Sequence, residues 1–440
     1  MSTLRLSVVS FGLRVALVLV VVVNALLLAR KLGPLEFGKY FLLVRLVSVL
    51  AALADFGLSQ SANAFFGRYR EWGRYLHRTV LGLIPRFWLG VTAVGGVIVW
   101  LAGDRLLPNF PHALALIAFA ILPLSLYANL WNSMMIGVGR VWRVNVVQLV
   151  MCSLSLALTL IFVVALGGGV MAAALIYLAL MLVQFVVMLW MAFRLNPDGA
   201  TNEPPADLQR QMLHFGLRGY AGSLSALLWT RLPVFILNAT HGAVAVGIFS
   251  VAQQLVEKAL LPVQAMQDVI YQKMSVLSSP TATIAMNRYL RITWWGMLVV
   301  ALIGLAVVPW VISIPLGQAY AGAVPVARIL LLGTAFASLA LLLDAYFINQ
   351  MHRPGLVSIL AWGNVLAGLA LALLMIPALA ERGAAWALSL TQILGAVVYL
   401  VIYLRVTRTP LAQLAYLHNK DVSMIREQVG AMLRWKESRG

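Results

Sequence analysis

The chain has 440 residues, of which 62% are hydrophobic and only 10% are charged. Soluble globular domains carry roughly 25% charged residues, so this composition predicts a membrane protein. The single cysteine, Cys152, excludes an internal disulfide and a cysteine metal cluster. The 32 Lys and Arg residues outnumber the 14 Asp and Glu residues. They form no single basic patch, so no nucleic-acid partner is predicted.

Twelve apolar stretches are each long enough to cross a hydrocarbon core of roughly 30 Å as a helix of about 20 residues. In chain order they lie near 6–29, 40–62, 79–101, 112–135, 144–166, 170–192, 215–238, 247–270, 289–312, 325–348, 356–377 and 384–404. The first stretch ends in Ala29-Arg30-Lys31 rather than in a small-residue cleavage site, so we expect it to be a retained helix. The sequence therefore predicts an all-α polytopic membrane protein.

The basic residues predict how these spans are oriented. Lys and Arg are enriched in cytoplasmic loops, and most of those outside the spans fall on the side of the N-terminus. The opposite loops contain only Arg30, Lys31, Lys39, Arg105 and Arg382. Both termini are therefore predicted to be cytoplasmic.

The second half of the chain repeats features of the first half in the same order. The matching pairs are Phe11-Gly12-Leu13-Arg14 with Phe215-Gly216-Leu217-Arg218, Gly33-x4-Gly38 with Gly242-x4-Gly247, and Gly139-Arg140 with His352-Arg353. Each half has an even number of spans, so the two halves have the same orientation. This pattern is typical of a parallel repeat with a binding site between the halves.

The repeat and the loop composition predict four regions. They are an N-terminal six-helix lobe at 1–192, a cytoplasmic linker at 193–214, a C-terminal six-helix lobe at 215–404, and a cytoplasmic tail at 405–440. The linker is rich in Pro and polar residues. The tail is basic, and Val422, Ile425, Val429 and Met432 give it one predicted amphipathic helix.

Four short segments at the ends of spans have a distinctive composition. They are residues 28–40 (LARKLGPLEFGKY), 53–58 (LADFGL), 317–323 (GQAYAGA) and 383–385 (GAA). Together they resemble the Wzx-type oligosaccharide flippases of the MOP superfamily, which also includes drug exporters. The turn at 241–247 departs from this pattern, because it lacks the Pro and Glu of the first turn. The resemblance implies a MOP/MATE-like fold, with two lobes of helices around a central cavity.

The same resemblance implies a function. Such a flippase moves undecaprenyl-diphosphate-linked oligosaccharides from the cytoplasmic to the periplasmic leaflet of the bacterial inner membrane. The product serves O-antigen, capsule or exopolysaccharide synthesis. Besides the lipid-linked oligosaccharide, the implied partners are inner-membrane lipids and the polysaccharide polymerase and chain-length machinery. The implied protein is a transporter, not an enzyme, and no cofactor is predicted.

Charged residues within the spans indicate where the substrate binds. They are Arg14, Arg45, Arg86, Arg218, Arg231, Lys258 and Arg328, with Asp55, Glu257, Asp268 and Asp344. Facing lipid, each would cost about 2.5–3.5 kcal/mol, so most must face protein or a water-filled cavity. Because Arg binds phosphate oxygens in a bidentate manner, Arg14, Arg45, Arg218 and Arg231 are the predicted diphosphate ligands.

Other polar residues in the spans have more than one interpretation. Asp55, Glu257, Lys258 and Asp268 are candidates for ion coupling, and structural ion pairs would explain them equally well. In span 4, Tyr127, Asn129 and Asn132 are candidate sugar contacts, with helix packing as the alternative. The histidines are scattered one per region, so no metal site is predicted.

Two other classes of protein have a similar hydropathy profile. A cation-coupled multidrug exporter of the same fold is the first alternative, but its mostly cationic substrates favour buried acids over buried arginines. A membrane glycosyltransferase or ligase is the second, but the loops are too short for the domain that such chemistry needs. The chain contains no G-x4-G-K-[ST] motif for ATP. The predicted energy source is therefore an ion gradient or the membrane potential.

Overall fold

The computed structural model describes residues 3–195, 207–274 and 277–416, and within these ranges the chain is helical. The α-helices are α1 (Thr3–Asp55), α2 (Leu58–Arg68), α3 (Gly73–Leu106), α4 (His112–Gly137), α5 (Val141–Leu158), α6 (Gly169–Leu195), α7 (Leu208–Glu257), α8 (Leu261–Met274), α9 (Ser279–Leu316), α10 (Ala323–Asn349), α11 (Pro354–Thr407) and α12 (Ala412–Ala415). A π-helical segment, Thr159–Ala165, continues α5. In the described part, nine helical segments are long and apolar enough to cross a membrane.

Three of the long helices each contain two spans joined at one residue with non-helical backbone. The joints are Gly33 in α1 (φ 69°, ψ 172°), Gly242 in α7 (φ 77°, ψ −178°) and Ala380 in α11 (φ 50°, ψ −129°). Three of the nine segments contain one joint and therefore two spans each, so the nine segments account for the twelve predicted spans. The prediction of an all-α polytopic membrane fold is confirmed.

The joints at Gly33 and Gly242 occupy equivalent positions in the sequence repeat. Both have positive φ, where glycine carries no steric penalty from a Cβ atom. A Cβ added at either position would meet no atom within 4 Å. The glycine is therefore required by the backbone conformation and not by crowding. We call the end of the helical bundle that carries these two joints the turn end. The opposite end, where α6 ends and α7 begins, is the linker end.

The second predicted span is interrupted, although the sequence predicts one continuous helix over 40–62. It breaks at Phe56 (φ 44°) and Gly57 (φ 78°), between α1 and α2. The Asp55 carboxylate accepts hydrogen bonds from the Ser59 backbone N–H (3.2 Å) and hydroxyl (2.5 Å). Asp55 therefore satisfies an otherwise unpaired N–H group at the start of α2.

The eighth predicted span is interrupted as well. The α-helix ends at Glu257, a single 3₁₀ turn covers Lys258–Leu260, and α8 begins at Leu261. Pro262 explains the break, because its ring clashes with the carbonyl group four residues earlier and it has no N–H to donate. Short 3₁₀ stretches within helices often mark hinges. Glu257 therefore lies at a hinge within the bundle.

The predicted linker is shorter in the structure than in the sequence analysis. Helix α6 continues to Leu195 and α7 begins at Leu208, so both extend into residues 193–214. The predicted amphipathic helix of the tail lies outside the described residues. The assignment of 1–192 and 215–404 to separate lobes stays a prediction.

Candidate functional site

A cluster of charged side chains joins the two halves of the chain. Arg45 belongs to α1, whereas Arg231 and Glu257 belong to the two spans of α7. One carboxylate oxygen of Glu257 lies 3.6 Å from Arg45 Nη2 and also 3.6 Å from Arg231 Nη1. Arg45 Nη2 donates a hydrogen bond to Gln253 Oε1 at 3.3 Å. We call Arg45, Arg231, Glu257 and Gln253 the central cluster.

The guanidinium groups of the central cluster are poorly satisfied. Arg45 is only 7% exposed, and its Nε has no hydrogen-bond partner among the described residues. The same holds for Nε and Nη1 of Arg231. A buried donor without an acceptor costs about 1–3 kcal/mol, and more when it is charged. Each arginine therefore has buried hydrogen-bond donors that no described group accepts.

The central cluster lies near the middle of the bundle. At about 1.5 Å per helical residue, Arg45, Arg231 and Glu257 lie about 16–23 Å from the joints at the turn end. A hydrocarbon core is roughly 30 Å thick, so these charges lie at mid-membrane depth.

Glu257 lies between two cavities, one in each half of the molecule. The N cavity has a volume of about 410 Å³ and is lined by Asn24, Tyr40, Arg45, Tyr177, Gln184 and Lys258, among others. The C cavity has a volume of about 370 Å³ and is lined by Thr230, Gln264, Asn364, Asp344, Gln392 and Tyr399, among others. Glu257 lines both cavities. Its side chain is 41% exposed, so the carboxylate has free space on either side.

A third cavity, of about 480 Å³, lies between the halves on the side of the linker end. We call it the interlobe cavity. Its polar lining consists of Ser48, Asp55, Ser59, Ser125, Asn129, Asn132, Ser133 and Ser223. Among the described side chains, which do not include Arg14, no Lys or Arg is part of this lining. The interlobe cavity therefore presents hydroxyl and amide groups, with one carboxylate that is already bonded to Ser59.

At the turn end the two halves meet through main-chain atoms. A Cβ atom on Gly38 would overlap the carbonyl group of Ala243, and a Cβ atom on Gly247 would overlap that of Pro34. Gly38 corresponds to Gly247 in the sequence repeat, and Pro34 corresponds to Ala243. The two contacts are therefore equivalent under the repeat, and we call them the glycine seam.

At the linker end the contacts between the halves include hydrogen bonds from side chains and a close main-chain approach, since a Cβ atom on Gly57 would overlap the Gly216 carbonyl group. Tyr220 donates its hydroxyl to the Leu53 carbonyl (3.0 Å), and Gln60 donates to the Gly219 carbonyl (3.2 Å). The ring of Tyr220 also stacks on that of Phe56, with centroids 5.5 Å apart. Spans 2 and 7 are therefore in contact at this end through both side-chain and main-chain atoms.

The structure describes the side chains of three of the four arginines that are predicted diphosphate ligands. Arg45 and Arg231 meet at Glu257. Arg218 is exposed, and it lies about 20 Å from Arg231 along α7, at about 1.5 Å per residue. The side chain of Arg14 lies outside the described residues, as does that of Asp268. Arg218 is therefore not part of the central cluster.

The candidate sugar contacts in span 4 also divide into two groups. Asn129 and Asn132 line the interlobe cavity. Tyr127 is fully buried, and its hydroxyl lies 2.9 Å from Nε2 of the buried His77. The sugar contact of Tyr127 stays a prediction, and in this structure its hydroxyl contacts His77 inside the N-terminal half.

One residue that sequence analysis did not assign to a site is Asp344. It lies on α10 and faces the C cavity, and its Oδ1 has no hydrogen-bond partner among the described residues. Gln392 lines the same cavity, and its Oε1 is likewise buried without a partner. The position of Asp344 inside a membrane span was the feature of the sequence that could have identified it as a site residue. In the described ranges, no group of three or more His, Cys, Asp and Glu residues is placed to hold a metal.

Comparison with solved structures defines the class of the fold. A multidrug resistance MATE family transporter of the MOP superfamily is similar in its inward-facing conformation, with a TM-score of 0.69 and 18% identity over 89% of this chain and 94% of that chain. Its outward-facing conformation gives a TM-score of 0.62 at the same identity and coverage. A MOP superfamily transporter from Pyrococcus furiosus gives 0.62, with 18% identity over 90% of this chain and 93% of that chain. The chain has the fold of MOP superfamily transporters.

Comparison with protein families gives the narrower assignment. The polysaccharide biosynthesis protein family matches residues 7–271, which is more than half of the chain. The chain belongs to this family, and the family assignment made from its sequence motifs is confirmed. A search of curated protein sequences finds no match. The fold and the nine apolar helical segments of the described part together indicate a multi-span membrane protein.

Proposed function

We propose that the protein is a flippase for undecaprenyl-diphosphate-linked oligosaccharides. The observation that carries this proposal is the central cluster, in which Arg45 and Arg231 come from opposite halves and share one carboxylate at mid-membrane depth. The unused guanidinium donors suit the oxygens of a diphosphate, which accept charge-assisted bidentate hydrogen bonds. A group that binds both halves at once also suits alternating access, because it is held while the halves move.

The proposal places the sugars of the substrate in the interlobe cavity. Sugars are rich in hydroxyl groups, and this cavity offers five serines together with Asn129 and Asn132. Its volume, about 480 Å³, lies within the roughly 300–1,000 Å³ of small-molecule sites. It therefore suits a short oligosaccharide and is too small for a long polymer. The polyprenyl chain stays in the lipid.

The proposal includes orientation and location. With both termini in the cytoplasm, the linker end is cytoplasmic and the turn end is periplasmic. The protein then belongs to the bacterial inner membrane and delivers oligosaccharide units for O-antigen, capsule or exopolysaccharide synthesis. Inner-membrane lipids, the polysaccharide polymerase and the chain-length machinery are its proposed partners.

A cation-coupled multidrug exporter is the second candidate function. Two of the similar structures are of a multidrug resistance transporter. In the C cavity, the Asp344 Oδ1 atom has no hydrogen-bond partner among the described residues and would suit a cationic group. The central cluster favours the flippase, because two arginines against one glutamate repel a cationic substrate. In the flippase, Asp344 joins Asp55, Glu257 and Asp268 as a candidate for ion coupling.

Reconstitution of the purified protein tests the proposal. Proteoliposomes would contain undecaprenyl diphosphate linked to the oligosaccharide unit extracted from the source organism, and periodate oxidation would report its exposure on the outer leaflet. We expect protein-dependent flipping of this lipid and no transport of a cationic dye such as ethidium. Dye transport without lipid flipping would establish the exporter and contradict the flippase.

A further inference from the structure

The unusual feature of the central cluster is that one carboxylate serves two cations at a distance too long for a hydrogen bond. Glu257 lies 3.6 Å from both Arg45 and Arg231, whereas a charge-assisted N–H···O bond is about 2.7–2.9 Å long. The pair of arginines therefore has a counter-ion but not a full set of hydrogen-bond acceptors. A ligand with more oxygens would satisfy them better than Glu257 does.

From this geometry we infer that Glu257 is a resident counter-ion, which the anionic group of the substrate displaces. The inference rests on the proposed function, since it takes the lipid-linked diphosphate as the displacing anion. In the empty protein, Glu257 screens the repulsion between Arg45 and Arg231 and lets the two halves approach each other. On binding, the diphosphate takes over both arginines and Glu257 leaves them.

Two structural features allow the carboxylate to leave. Glu257 faces open space in both the N cavity and the C cavity, and Lys258, the next residue, lines the N cavity. Glu257 is also the last residue before the 3₁₀ turn of Lys258–Leu260. A change at this hinge would move the Glu257 side chain without disturbing the rest of α7.

This exchange has a consequence for the transport cycle. When the diphosphate is released on the far side of the membrane, Glu257 rebinds the two arginines and competes against recapture of the substrate. Glu257 therefore favours release and return of the empty protein, at the expense of affinity. A protein without this carboxylate should bind the anion more tightly and turn over more slowly.

The test measures affinity and transport in the same variants. The probe is undecaprenyl diphosphate without sugar, titrated by microscale thermophoresis into the detergent-solubilised full-length protein. We expect Glu257→Gln to bind the probe about tenfold more tightly than the wild type, the scale of one partly buried ion pair. We also expect it to flip the lipid-linked oligosaccharide more slowly. The control Glu36→Gln removes a carboxylate near the turn end and should change neither quantity.

A second variant keeps the inference testable if Glu257→Gln is poorly folded. In Glu257→Ala, added acetate should occupy the vacated position and weaken binding of the probe, whereas chloride at equal ionic strength should not. Acetate should have no such effect on the wild type. If a folded Glu257→Gln protein binds the probe as tightly as the wild type or more weakly, Glu257 has only a structural role in an ion pair and the inference is wrong. A wild type that does not bind the probe at all would instead contradict the proposed function itself.

Discussion

At the scale of single residues, the proposed function depends on the two arginines of the central cluster. Arg45 is almost fully buried and contacts Gln253, Glu257 and the ring of Phe41, whose centroid lies 4.4 Å from the guanidinium carbon. Arg231 contacts Glu257 and is less deeply buried. Neither side chain has another carboxylate within ion-pairing distance in the described part of the chain. Both should therefore be needed for binding of the diphosphate.

Replacing either arginine by alanine should reduce flipping strongly. We expect Arg45→Ala and Arg231→Ala each to lower the flipping rate in proteoliposomes by at least about tenfold, because loss of one partner from a buried charge pair costs about 2–5 kcal/mol. Lysine at either position should restore only part of the rate, since it lacks the bidentate guanidinium. Arg105→Ala, at an exposed position outside the cluster, is the control. Normal flipping by both alanine variants would contradict the proposal that Arg45 and Arg231 bind the diphosphate.

The interlobe cavity gives a prediction about the sugar. Asn129→Leu and Asn132→Leu keep the branched side-chain shape and the number of heavy atoms but remove hydrogen-bonding groups from the cavity wall. We expect each to weaken binding of the glycosylated lipid about tenfold, since loss of buried hydrogen bonds costs about 1–3 kcal/mol. Binding of undecaprenyl diphosphate without sugar should not change.

The matched control for the cavity is Asn349→Leu. Asn349 lies at the end of α10, where its amide donates to the Ala345 carbonyl at 3.1 Å, and it lines none of the three cavities. Thermophoresis with the two lipids measures the difference directly. An equal loss of affinity for both lipids in Asn129→Leu and Asn132→Leu would place the sugar elsewhere.

At the scale of helices, the glycine seam should control closure of the turn end. Gly38→Val would place atoms where the carbonyl group of Ala243 now lies, so the two halves cannot approach as closely. We expect the turn end to open in this variant. Spin labels at Leu35 and Val244, which are both exposed, would report the change as a longer distance in pulsed electron resonance, in a Cys152→Ser background.

The control for the seam is Gly296→Val. A Cβ atom on Gly296, in α9, would meet no atom within 4 Å, so this variant adds the same bulk without a clash. Its distance distribution should match that of the unsubstituted protein. If Gly38→Val also leaves the distance unchanged, the seam does not determine closure.

The sequence predicted the helices well because each span is a long apolar segment, and length and composition are local properties. It did not predict the breaks at Phe56–Gly57 and at Lys258–Leu260. Both lie inside apolar runs, where periodicity gives no signal for an interruption. Pro262 was a local indication of the second break, but the predicted span at 247–270 did not take it into account.

The candidate site was predicted less completely than the fold. Because a charge inside a membrane span is costly, the sequence showed that Arg45, Arg231 and Glu257 each need a polar partner. It did not show that Glu257 is the partner of both arginines. The pairing depends on how α1 packs on α7, which is a tertiary property. Helical phase does not show whether a face meets a cavity or a neighbouring helix, so it did not predict the contact between Tyr127 and His77 or the distance between Arg218 and Arg231.

At the scale of the whole molecule, the source of energy can be tested. Moving about two negative charges outward across a membrane that is negative inside gains roughly 4–5 kcal/mol per 100 mV. We expect an imposed potential alone, at equal pH and equal sodium on both sides, to accelerate flipping in proteoliposomes. This result requires that the arginines of the central cluster do not cross the field with the substrate.

The same experiment distinguishes coupling to an ion. If the arginines move with the substrate, the charges cancel and the potential should have no effect. A proton or sodium gradient should then be needed, with Glu257, Asp268, Asp55 or Asp344 as the coupling group. A requirement for added ATP in the purified system would contradict both versions.

The glycine seam has a consequence for how this family of transporters can diversify. Its contacts use carbonyl oxygens and the absence of side chains at Gly38 and Gly247, so the residues that line the interlobe cavity take no part in them. Substitutions at Asn129, Asn132 or the serines of the interlobe cavity can therefore accumulate while closure stays the same. Under the proposed function, the walls of the interlobe cavity can therefore change to accept a different glycan while the turn end closes in the same way.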